Sequence, residues 1–442
     1  MVGSASPATG ERVRSASGRM AAVQDMARLQ RMLFEIERQF IATVTTQICR
    51  VGEIELKYLL CQHVWEAAGH ARFLRERGRE LSGFGKDDSV REGFRKIFEE
   101  AIRADDPMTA LAGFYNVLKP RLLDAYQSYL AATHHLADWP SRNLVEEFVG
   151  DEQRHEREIR PYLEGVDARA WCERLGGAVD AIGGWLGERE VKALPDDFTW
   201  IHPDRPYRHP ATCARGKYPV CSSVFGHDPD EVPIVRDWLE DPETDPRVIR
   251  IMVYVWLMME VDAVDYLSTV FYDTAHAPFD LHFDLARHLW DESRHSQFGF
   301  RQLPRLGVDL NTLEHSLELF NILVHMTPAE RYAMMTMEFE AGSFSTKAKV
   351  MDSVRELNDF EADTLLAFDR NDEQGHVRYG HRWLPEIMRL FGESRRVDDF
   401  VKATQKRFSE LFETYGKATP HSLPPEKRLT ANKIRKMVET GS

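Results

Sequence analysis

Residues 286–300 read Ala-Arg-His-Leu-Trp-Asp-Glu-Ser-Arg-His-Ser-Gln-Phe-Gly-Phe. Ala286, Leu289, Trp290 and Phe298 recur at helical spacing, and on a helix Glu292 and His295 share one face. A carboxylate and an imidazole then point at one spot. A second Glu-x-x-His, Glu373-Gln374-Gly375-His376, lies inside another helical pattern.

Each pair is preceded by a glutamate in apolar surroundings. Glu260 follows Trp256-Leu257-Met258-Met259, where a lone acid costs several kcal/mol unless something pairs with it. It stands 32 residues before Glu292, the length of a helical hairpin with a short turn. Glu338 stands 35 before Glu373, a comparable interval. The two stretches echo one another, Met259-Glu260-Val261-Asp262-Ala263 against Met337-Glu338-Phe339-Glu340-Ala341. That echo favours Glu338 over Glu340, and residues two apart on a helix do not face the same way, so only one of them is expected to be a ligand.

The set is Glu260, Glu292, His295, Glu338, Glu373 and His376. Helix bundles that hold two iron or manganese ions use two Glu-x-x-His pairs plus one Glu from each of two further helices. Four carboxylates balance two divalent cations, and mixed oxygen and nitrogen donors suit iron or manganese better than magnesium or calcium. In the order and spacing of these residues, the stretch from about 248 to 385 resembles the ferritin-like di-iron carboxylate superfamily. The resemblance implies an all-α fold of tandem ferritin-like bundles and a non-haem di-iron oxygenase or oxidase that uses O2 on a small organic molecule. Hydroxylation, N-oxygenation, desaturation and oxidative cleavage all belong to that class. It further implies Glu292 and Glu373 as bridging, catalytic ligands, the two histidines as terminal ligands, and Glu260 and Glu338 as terminal carboxylates. The cofactor is two Fe ions, with Mn or mixed Fe/Mn as variants. Met258, Met335 and Phe339 are candidates to line a cavity beside the metals. The rival readings are an iron-handling or peroxide-detoxifying protein of the same fold, and a metal-free helical scaffold.

The first half repeats the plan imperfectly. Trp65-Glu66-Ala67-Ala68-Gly69-His70 aligns with Trp290-Asp291-Glu292-Ser293-Arg294-His295, so Ala67 stands where Glu292 does. Glu35 lies 32 before Ala67, and Asp151-Glu152-Gln153-Arg154-His155 supplies a complete pair. The positions 33 to 35 before Glu152 are Lys119, Leu118 and Val117, none a carboxylate. Two of four acids are missing, and the expectation is a partly lost site made of Glu35, His70, Glu152 and His155.

The expected organisation is a disordered leader (1–19), a degenerate helical domain (20–187), a Pro-rich connector (188–246), the di-metal domain (247–393) and a helical, polar tail (394–442). Asp105-Asp106-Pro107 and Thr327-Pro328 are helix starts. The net charge of −14 argues against non-specific nucleic-acid binding, and no apolar run reaches the roughly 18–20 residues of a membrane span. Five cysteines read as reduced thiols, which with no evident signal peptide points to the cytoplasm. No Gly-x-Gly-x-x-Gly fingerprint is present, so reductant comes from a separate protein or from the substrate; a homo-oligomer is compatible with the sequence.

Three weaker patterns complete the reading. His202, His209, Cys213 and Cys221 in the connector do not follow the spacing of structural zinc sites. His288 is one turn before Glu292, either a partner of the site or a half-buried helix histidine. Asp291 and Asp372, each just before a ligand glutamate, are placed to accept the far N–H of a histidine on a neighbouring helix, with solvated acids as the alternative.

Overall fold

The computed structural model describes residues 22–81, 90–198, 207–222, 235–241 and 243–440. The expected leader, the turn beyond Leu81, and much of the connector with His202 lie outside them. Among the described residues the regular structure is helical, apart from a parallel pairing of Val220–Cys221 with His315–Ser316. No described helix is long and apolar enough to cross a membrane.

The chain forms two compact units, one drawn from residues 1–47, 62–207 and 278–283, the other from 48–61, 208–277 and 284–442. The boundary is therefore not the single cut at a connector that composition implies.

The first unit is built on Val23–Val44, most of Ile54–Glu80, Glu92–Ala101, Trp139–Leu163, Arg169–Ala181 and a long run from Pro107. That run starts as expected: Asp106 accepts the Thr109 N–H at 2.8 Å, and Pro107 occupies a position whose N–H has no helical partner. It passes through a π-helical turn, Phe114–Leu118, into Lys119–Ala132. Leu33, Phe40, Phe98, Tyr115 and Tyr126 fill its interior.

In the second unit the helical run around Glu260 is interrupted, Pro246–Met259 and Val261–Asp273 meeting with Glu260 at the break. Phe279–Arg305 carries the opening motif. Thr327 caps the next run in a capping box with Glu330, and Pro328–Ala333 passes through a π-helical turn, Met334–Phe339, into Glu340–Glu356. Phe360–Leu390 carries Glu373 and His376. Close approaches are made where side chains are absent: a Cβ on Gly299 would sit 2.5 Å from Met258 N, and one on Gly380 would sit 2.6 Å from Thr336 Cβ. Met252, Leu257, Met258, Leu303, Val350 and Leu366 form the apolar core. The tail is not merely polar, because Ala431, Ile434 and Val438 of Ala431–Thr440 join that core. Connector residues pack in this unit too: Cys213 and Arg215 are buried, and Ala214 N–H donates to Cys49 O.

Candidate metal centre

Four helical segments of the second unit bring their polar side chains together in an otherwise apolar interior. His288, Glu292, Glu340 and His376 form one buried group, and Glu260, His295 and Asp369 another. In the first, His376 Nδ1 lies 3.3 Å from Glu292 Oε1 and 3.2 Å from Glu340 Oε1. His288 Nε2 lies 2.7 Å from Glu340 Oε1, and its ring stacks on His376 at 3.8 Å. In the second, His295 Nδ1 is 3.3 Å from both Glu260 Oε2 and Asp369 Oδ1. His295 Nδ1 is also 3.9 Å from Glu292 Oε1, so the groups adjoin.

Glu260 Oε2, Glu292 Oε1, His295 Nδ1, Glu340 Oε2, Asp369 Oδ2 and His376 Nδ1 are buried with no properly directed hydrogen bond. Orphaned polar atoms in such number are costly and rare. Donors that share one ion at about 2.1 Å stand about 3 Å apart at right angles, close to the spacing seen here. The residues fit one or two divalent ions.

The outward nitrogens are held crosswise. His376 Nε2 meets Asp291 Oδ2 at 3.2 Å, and His295 Nε2 meets Asp372 Oδ2 at 3.4 Å. These are the contacts read from the sequence for those two aspartates. Arg287 donates to both, at 2.7 Å to Asp291 and 3.3 Å to Asp372, and Arg294 also links the two. Burial opposes ionisation of Asp291, but the His376 contact and the arginines hold its carboxyl below the usual range. A neutral imidazole whose far nitrogen donates to a carboxylate turns its other nitrogen inward as a lone pair.

Without an ion the centre is short of positive charge. Burial pushes Glu260 up to about 7, with Lys347 opposing and Asp369 and Glu292 adding to the rise. Burial pushes Glu373 up to about 8, again against Lys347 and with Asp369, Glu260 and Glu340. Burial disfavours the imidazolium of His295, and Asp369, Asp372 and Glu260 overcome it, holding His295 well above its usual range.

Of the six residues chosen from sequence, Glu260, Glu292, His295 and His376 enter these groups and two do not. Glu338 is half-buried and belongs to neither; Glu340 takes the place assigned to it. The reason is the π-helical turn Met334–Phe339, which inserts a residue and rotates the face, so the echo with Met259-Glu260 fails. Glu340 precedes Glu373 by 33 residues, against 32 between Glu260 and Glu292, and that interval was the better signal. Glu373 is buried beside the groups, but Ser343 Oγ donates to its Oε2 at 2.5 Å and the Lys347 ammonium caps its Oε1. Asp369 and Lys347 carried no sequence signal of their own.

A cavity of about 220 Å³ opens onto the centre. Glu260, Glu292, Glu340 and Glu373 are among its polar lining, and Trp256, Met259, Met335 and Phe339 among its apolar walls. Met258 is instead part of the core.

The first unit shows a similar arrangement with fewer acids facing inward, Glu37, His70 and Glu152 forming its buried group. His70 Nε2 meets Asp151 at 3.1 Å, His155 Nε2 meets Glu66 at 2.6 Å, and the His63 ring lies 3.9 Å from that of His155, tilted by 30°, where His288 stacks on His376. Ala67 is buried where Glu292 stands. Lys119 follows a π-helical turn, as Glu340 does, and sits 2.5 Å from Glu152 Oε1. Glu35 is turned to Arg31 and Arg91, while Glu37 meets His70 Nδ1 at 3.0 Å, so Glu37 and not Glu35 belongs to this cluster.

Among the described residues, the connector's possible zinc ligands do not converge. His209 lies by Asp273, Cys213 by Asp262 and Asp265, and Cys221 by Glu314 and His421.

The fold and site define an all-α protein with a buried histidine and carboxylate centre in its second unit. Residues 242–438 match a family described only as a protein of unknown function, DUF455. No curated protein and no solved structure matches the chain.

Proposed function

We propose that the second unit is a ferritin-like di-metal bundle and that the protein is a non-haem di-iron oxygenase or oxidase acting on a small, largely apolar molecule. The first unit is then a bundle of the same plan that has lost its metal site. The observation that carries this reading is the set of six buried donor atoms without a directed hydrogen bond, three of whose residues, Glu260, Glu292 and Glu340, line the adjoining cavity. His288, Glu292, Glu340 and His376 would hold one ion, and Glu260, His295 and Asp369 the other. When bound, two such ions supply the electrons for reduction of O2.

The chain's own residues do the rest. Asp291 and Asp372 fix the two imidazoles with their inward nitrogens free. Trp256, Met259, Met335 and Phe339 keep water from the centre and present the substrate's apolar body to it. Five reduced cysteines accord with a cytoplasmic site of action.

The test is metal analysis of purified protein, then anaerobic loading with Fe(II) and measurement of O2 uptake with and without small apolar amines, acids and alkenes. Two ions per chain and uptake stimulated by one of these classes is the expected result. Progressive accumulation of ferric mineral would favour iron handling, and no bound metal would leave the scaffold reading.

A further inference from the structure

Lys347 is a fully buried lysine in the midst of the carboxylates. Its ammonium lies 2.6 Å from Asp369 Oδ1, caps Glu373 Oε1, and stands 3.9 Å from Glu260 Oε1. The face of Trp256, 5.2 Å away, closes it off on another side. Ser343 occupies the other oxygen of Glu373. Neither oxygen of Glu373 is therefore an open donor, and both are absent from the unpartnered atoms. Asp369 differs: its Oδ1 accepts from Lys347 and lies 3.3 Å from His295 Nδ1, its Oδ2 is buried with no hydrogen bond, and the residue falls in one group with Glu260 and His295.

The charges agree with this division. Glu292 and Glu340 balance one divalent ion between them. Glu260, Asp369 and Glu373 carry one negative charge too many for the other, and Lys347 supplies the compensating positive charge. The first unit already uses the same device, with Lys119 against Glu152, the glutamate of its own Glu-x-x-His pair.

Resting on the di-metal reading above, we infer that Lys347 is a resident cation of this centre, that Glu373 is its counter-ion rather than a metal ligand, and that Asp369 supplies the carboxylate in its place. Asp369 and Glu373 are one turn apart on Phe360–Leu390, so the exchange needs no change in the helix.

The experiment is titration of the metal-free full chain with Mn(II), followed by equilibrium dialysis and electron paramagnetic resonance, which distinguishes isolated from coupled ions. Wild type is expected to take two ions with a coupled signal. Asp369→Asn is expected to keep one ion and lose the coupled signal, whereas Glu373→Gln keeps both. Lys347→Met, which frees Glu373 as an additional ligand, is expected to tighten the second ion by about 10–100-fold, the range over which neighbours of metal ligands act. Adding Glu373→Gln to Lys347→Met should abolish that gain, which keeps the test decisive even if Asp369→Asn fails to fold. Loss of an ion in Glu373→Gln, two ions retained in Asp369→Asn, or unaltered affinity in Lys347→Met overturns the assignment while metal binding stands. A single ion in wild type also overturns it, and a chain that takes no ion removes the di-metal reading itself.

Discussion

Lys119→Met in the first unit should be among the most damaging single substitutions in the chain. Lys119 Nζ lies 2.5 Å from Glu152 Oε1, with the side chains 5% and 1% exposed, and the ammonium also faces the Phe40 ring at 4.2 Å. At an effective dielectric of about 20, unit charges at that distance attract by about 7 kcal/mol, and desolvating both groups offsets much of it. Removing only the lysine leaves Glu152 buried with only His155 and His70 to balance it, a loss of about 3–5 kcal/mol. Removing both charges, as in Lys119→Met with Glu152→Gln, is expected to cost only about 1 kcal/mol, because buried pairs replaced together are often nearly neutral. The assay is urea unfolding read through hydrogen-exchange protection of the helix Trp139–Leu163, which reports on the unit that contains the pair. A single variant no less stable than the double one would refute the idea that Lys119 serves as the unit's own cation.

Three further outcomes follow from the geometry. His315, buried and pushed down to about 3 by burial and then by Arg215 and Lys57, stays neutral in the folded chain. Its depressed value means that its contribution is present above about pH 6.5 and is lost as pH falls towards 3. About 2 kcal/mol should disappear between pH 7 and 5, a slope that His315→Leu removes in urea titrations; equal slopes in both proteins would rule this out. Gly380→Ala places a methyl 2.6 Å from Thr336 Cβ in the π-helical turn before Glu340, and should cost about 1–3 kcal/mol in thermal unfolding, with an unchanged midpoint as the contrary result. Asp291→Asn, which weakens the hold on His376 Nε2, should loosen Mn(II) by about 10–100-fold with the fold intact, and full retention of affinity would show that the contact does not orient the ring.

What the sequence makes legible here is set by how locally each feature is determined. Helix starts at Asp106-Pro107 and Thr327-Pro328 depend on a few neighbouring residues, and both form as read. The face shared by Glu292 and His295 depends only on regular helical geometry within one turn, and the crosswise contacts of Asp291 and Asp372 follow once the two motif helices face one another. Glu338 fails because the inference crossed an irregularity: the residues Met334–Phe339 wind as a π-helical turn, and any alignment of faces carried through it is rotated. The same kind of turn, Phe114–Leu118, precedes Lys119, so the two irregularities stand at equivalent places in the two units and each sets the residue that follows it against the Glu-x-x-His glutamate's cluster. Lys347 and Asp369 were out of reach for a different reason. A lysine in a helical pattern is read as solvent-facing because its burial requires partners from other helices, and those partners are visible only once the helices are packed. An acid one turn from a motif glutamate gains meaning only when that lysine has claimed the glutamate. The residues that separate this centre from the general pattern are therefore the ones fixed by long-range packing, and Lys347, whose removal should redistribute the ligands among Asp369 and Glu373, is where the pattern and the particular protein part company.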